Sequence, residues 1–177
     1  MFEPTMEFNQ WLYLSEMEKL VRAAKAKLVS EHPDFTVYTI SIWTDPNSAV
    51  SAINFDTIEN SRAVSEKLSF WAQTRRDQAL AIGDSESAEL FKSFDMPRNY
   101  NSADFILREF LTTRHQSFEH NWETNSDEKC WAELEPALYK VGTFANMLLK
   151  DLKLHPEAEL GVNSHLDWFD ASWKLHG

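Results

Sequence analysis

Thr36-Val37-Tyr38-Thr39-Ile40-Ser41-Ile42-Trp43-Thr44 is a run of β-branched and aromatic residues, with Tyr38, Ile40 and Ile42 on one face and Thr39, Ser41 and Trp43 on the other. Such residues suit a pleated, half-buried surface, so the run predicts a strand. Asp45-Pro46-Asn47-Ser48 supplies turn residues, and Ala49 to Phe55 alternates again, which predicts a hairpin closed by a four-residue loop. A lone hairpin is marginal in water, so helices must cover it.

The flanking sequence offers those helices. Upstream, Ser15 and Glu18 have capping-box spacing, and Leu14, Met17, Val21, Ala24 and Leu28 recur at three- and four-residue steps until His32-Pro33 stops them. Downstream, Asp56 or Thr57 caps a helix with Ile58, Val64, Leu68 and Trp71 toward the core and Arg62, Arg75 and Arg76 toward solvent. Gly83-Asp84-Ser85 breaks the chain, with a short helix expected before a loop at 95–99. Ser102 is read as the cap of a helix running to Asn121, with Leu107, Phe110, Leu111 and Phe118 as its stripe. A further helix is expected from Asn125-Ser126-Asp127 toward Leu152, kinked or restarted at Pro136 and closed by His155-Pro156. Glu159 to Val162 reads as a short strand, and Leu166, Phe169 and Trp173 as a terminal helix. The expected fold is α+β: an antiparallel hairpin or small sheet covered by several helices, helix exceeding strand, in a single domain of residues 1–177.

Hydrophobic residues are 43% of the 177, which places the chain outside the composition of disordered proteins. Cys130 is the only cysteine, so no intramolecular disulfide forms. Met1-Phe2-Glu3-Pro4-Thr5-Met6-Glu7 lacks the basic and apolar regions of a secretory signal, and the longest apolar run is four residues, so a cytoplasmic protein without a membrane span is expected. The net charge of -11 opposes binding to nucleic acid or to anionic membranes. Residues 84 to 135 hold most of the excess, with 12 acids against 5 bases.

For chemistry, His115-Gln116-Ser117-Phe118-Glu119-His120 is the most enzyme-like cluster. On the expected helix His115 and Glu119 share a face, as the ligands of a small metal-dependent hydrolase would, but His120 points about 140° away. The histidines lack HExxH spacing, and solvated helix residues are the plainer reading. Cys130 would be a nucleophile only with a base such as His beside it, and Glu128-Lys129-Cys130-Trp131 offers no signature of such a site, so it reads as a half-buried structural thiol. The sequence has no GxSxG, P-loop or GxGxxG, and no cofactor is implied. Trp168, Phe169 and Trp173 form a recognition patch or, as such residues more often do, close a core. Glu119, Glu123, Asp127, Glu128, Glu133 and Glu135 interleave with Trp122 and Trp131. Carboxylates steer a basic partner and aromatics anchor it, so Glu119, Trp122, Glu123, Asp127, Glu128, Trp131 and Glu133 are the candidate partner-binding residues, with an ordinary solvated face as the alternative.

Tyr38-Thr39-Ile40-Ser41-Ile42-Trp43-Thr44-Asp45, preceded by an amphipathic helix and followed by Ala52-Ile53-Asn54-Phe55-Asp56-Thr57, resembles the opening of the bacterial domain-of-unknown-function 4303 family. The resemblance covers about the first third of the chain; at Ser69-Phe70-Trp71-Ala72-Gln73-Thr74-Arg75 the proline expected from the family is missing. It implies an immunity protein of the contact-dependent growth inhibition type, which blocks a cognate toxin with a basic surface, such as a nuclease. It carries over no catalytic residue. A cytosolic regulatory protein that binds another basic partner is the blander reading.

Overall fold

The computed structural model describes residues 8–92 and 96–176; the N-terminal stretch 1–7 and Asp95, both read above, lie outside them. In chain order the elements are α1 (Gln10–Glu31), β1 (Val37–Asp45), β2 (Val50–Asp56), α2 (Ile58–Ala81), α3 (Ser85–Leu90), β3 (Leu107–Arg114), α4 (Trp122–Asn125), α5 (Trp131–Leu149), β4 (Leu154–Val162) and β5 (Ala171–Lys174). The fold is α+β with more helix than strand. No helix among the described residues is long and apolar enough to cross a membrane. The chain forms two compact units, residues 58–99 and the remainder.

The larger unit is built on a mixed sheet of order β3-β2-β1-β4-β5, in which β1 runs antiparallel to β2 and parallel to β4. The hairpin forms as expected, with Asp45 opposite Val50 across the turn. Ile40, Ile42, Ile53, Phe55 and Leu160 join one core with α1 and α5, so those helices cover that face of the sheet. The helix α1 starts earlier than the Ser15 box suggests: Asn9 is the cap and accepts from the Leu12 amide at 3.0 Å. Tyr13, one turn before Met17, extends the buried stripe toward the N-terminus and draws the helix with it. Glu18 is then free to pair with Arg22.

Three expected elements differ. The helix from Ser102 to Asn121 is a single 3-10 turn at Ser102–Asp104 followed by β3. A bulge explains the misleading pattern. Ile53 pairs with Leu111 but Phe55 with Leu107, so β3 carries extra residues between them. Leu107, Phe110 and Leu111 therefore all pack against the core from a strand, at a spacing that imitates a helix. The helix expected from Asn125 is instead the one-turn α4 and then α5, parted by Asp127 and Glu128 at φ 52° and 64°. Pro136 lies inside α5, which continues through it, and His155-Pro156 lies in β4 rather than ending a helix. The terminal helix is a loop and β5. Ser164 Oγ accepts from the amides of Leu166 and Asp167, and Asp167 Oδ1 from Phe169, which fixes turns where a helix would need its own ladder.

In the smaller unit, α2 buries Ser61, Ala72 and Ala79, while Ile58, Val64 and Leu68 are half-buried and Trp71 is exposed. Small residues occupy the buried line and the bulky ones its flanks. Arg62 and Arg75 are exposed and Arg76 half-buried. Gly83, at φ 76°, ends the segment, and Asp84 caps α3 by accepting from the Ser87 amide.

Candidate functional site

His115 sits just after β3, where its amide donates to the Ala49 carbonyl at 2.8 Å. It is not on a helix with Glu119, and both ring nitrogens are engaged. Nδ1 meets Glu16 Oε2 at 2.7 Å, and Nε2 meets Ser51 Oγ at 2.6 Å. Ser51 Oγ lies 2.6 Å from Thr44 Oγ1, which lies 2.7 Å from Tyr13 Oη. A carboxylate only accepts, so Nδ1 carries the proton and Nε2 accepts from Ser51; Ser51 then accepts from Thr44, and Thr44 from Tyr13. Glu16 also accepts from the Gln116 amide and the Ser117 hydroxyl.

Burial pushes the His115 pKa down against the opposing pull of Glu16, and it pushes the Tyr13 phenol up, so both are neutral. Ser51, His115 and Glu16 repeat the order of a hydrolytic relay. Ser51 is fully buried, however, and is closed to substrate. This chain of hydroxyls ties α1, β1, β2 and the segment after β3 together. Glu119 is exposed, and no group of three or more His, Cys, Asp or Glu suited to a metal ion exists among the described residues. Cys130 is buried, and burial raises its thiol pKa, which disfavours the thiolate.

The candidate partner-binding residues divide into two groups. Trp122 is half-buried, its ring 4.8 Å from Phe8 and 5.0 Å from Phe118. Trp131 is buried and donates from Nε1 to Glu123 Oε1 at 2.6 Å. Glu123 Oε2 accepts from Asn47 Nδ2 at 2.8 Å, so this carboxylate clamps the hairpin turn to α5. These three residues are thus engaged within the fold. Glu119, Asp127, Glu128 and Glu133 are exposed.

Sequence order hides what two of the carboxylates meet. Glu128 Oε2 lies 3.4 Å from His165 Nε2, and Glu135 Oε1 accepts from the His165 amide at 2.9 Å. His165 stacks on Trp131 at 5.6 Å and begins a loop in which Leu166 is 91% and Trp168 58% exposed. Asn163 anchors this loop by exchanging two 2.9 Å bonds with the Thr44 backbone, extending the ladder by one side chain. Beneath the loop a cavity of about 250 Å³ is lined by Asp45, Glu123, Trp131, His165, Asp167 and Trp168, among others, with no Lys or Arg in its wall. Leu166 and Trp168 therefore project from a corner ringed by acids. The detectable signal was three large apolar residues, Leu166, Trp168 and Phe169, between the turn formers Ser164 and Asp170; helical spacing obscured it.

The larger unit carries most of the net negative charge, with 21 of the 28 acidic residues but only 11 of the 17 basic ones. No protein-family model matches the chain, and no curated protein or solved structure matches it.

Proposed function

We propose that the protein binds and neutralises a cognate protein toxin with a basic surface, such as a nuclease, by occluding its active site or substrate surface. The observation that carries this reading is the corner at Ser164–Asp170: Leu166 and Trp168 stand exposed on either side of Asp167, while Glu128 and Glu135, distant in sequence, meet the preceding His165. Apolar anchors inside a charged rim are the anatomy of a protein interface. The surplus of acids in the same unit favours a cationic protein over nucleic acid or an anionic membrane, and accelerates encounter with it.

In this reading the protein acts in the bacterial cytoplasm and performs no chemistry of its own. Co-expression with the protein encoded immediately upstream tests it. Protection of growth that is lost in Trp168→Ala supports the reading; an upstream product that is harmless, or toxicity unrelieved by this chain, contradicts it.

A further inference from the structure

A second cleft, of about 440 Å³, shares Trp168 with the first. Its lining includes Trp43, Asn54, Asn101, Arg108, Glu109 and Trp168. Trp43 alternates with core-facing Ile42 along β1, so the cleft lies on the sheet face away from α1 and α5. The two indoles stand 5.9 Å apart at 85°. Neither indole N–H, nor the Arg108 guanidinium, nor the Glu109 carboxylate has a hydrogen-bond or ion-pair partner among the described residues.

The backbone here is unusual. Glu109 holds φ 45° inside the bulge of β3, and its amide donates to Oδ1 of the buried Asn54 at 2.7 Å. Asn54 is fixed in turn by its bond to the Ser41 carbonyl at 3.0 Å. A glycine would adopt this conformation without strain. The chain instead places a carboxylate there, beside an arginine, in the wall of its larger cleft. Bulges re-aim side chains in this way next to binding sites.

We propose that this cleft binds a neutral saccharide. Arg108 and Glu109 cancel in charge and together supply planar donors and acceptors suited to adjacent hydroxyls. The acidic surroundings disfavour phosphate-bearing ligands. A flat base stacks on only one of two perpendicular indoles, whereas a puckered ring presents C–H groups to both. The volume falls within the range of small-ligand sites. Trp168 lines both this cleft and the acidic corner, whereas Arg108 and Glu109 line the cleft and not the corner, so variants at Arg108 and Glu109 separate saccharide binding from toxin binding.

The test titrates the intact protein with N-acetylglucosamine, maltose and cellobiose, following the indole N–H resonances of the 7 tryptophans. The expected result is a saturable shift of Trp43 and Trp168 with at least one of the sugars. Arg108→Ala should weaken that binding about tenfold or more. Glu109→Gly should weaken it while leaving the melting temperature unchanged or higher, since it relieves backbone strain. No saturable shift with any of the three sugars, a shift unaffected by both variants, or a response to GMP or inorganic phosphate in their place would overturn the proposal.

Discussion

Ser51 and His115, on β2 and just beyond β3, meet at 2.6 Å at the centre of a buried chain of polar groups running from Tyr13 to Glu16. A chain this complete costs little while intact, but each deletion strands its neighbours without water. Ser51→Ala removes the donor to His115 Nε2 and the acceptor of the Thr44 hydroxyl, which keeps only its bond from Tyr13. We expect a loss of about 1–3 kcal/mol, measured by urea denaturation with an unchanged m value.

The same chain sets a pH dependence. Because burial lowers the His115 pKa in the folded state, the unfolded chain binds more protons as the pH falls below about 6.5. The contribution of neutral His115 is fully present above that value and is lost progressively as the pH falls toward the depressed folded pKa. Melting temperatures should therefore drop between pH 7.5 and 5.5, and His115→Gln, though less stable at neutral pH, should show a shallower slope. Equal slopes in the two proteins would show that other groups govern acid sensitivity.

The hairpin was legible because β1 and β2 carry the alternation and the Asp45-Pro46-Asn47-Ser48 turn that their geometry requires. The β3 strand was not, because its bulge brings Leu107, Phe110 and Leu111 to one side and converts a strand into an apparent helical stripe. The acidic segment was legible as composition but not as a surface. Trp122 and Trp131 turn inward, and the exposed apolar residues that stand with Glu128 and Glu135 come from a loop some thirty residues downstream, brought there by tertiary pairing of His165.

Glu123 and Glu119 carry the same charge in different settings. Glu123→Ala removes the acceptor shared by Asn47 and Trp131, and should cost about 1–3 kcal/mol of stability. Glu119→Ala, at an exposed position, should change stability by less than about 0.5 kcal/mol. Thermal melts of the two variants compare them directly.

Gly161 in β4 lies beneath the Phe169 ring, which occupies the space a Cβ would need. Gly161→Ala should displace Phe169 and, with it, the loop that carries Leu166 and Trp168. The expected overpacking cost is about 1–3 kcal/mol. Partner affinity should fall as well, although residue 161 is itself buried. Retention of native affinity would show that the loop tolerates the displacement.

The acidic corner is tested most directly by the affinity for the proposed toxin partner, measured at low and high salt for wild type, Trp168→Ala and the double reversal Glu128→Lys with Asp167→Lys. We expect binding that weakens steeply with salt, a loss of about thirtyfold or more in Trp168→Ala, and a much flatter salt dependence in the double reversal. Affinity that is insensitive to salt and unchanged in both variants would contradict the toxin-binding reading.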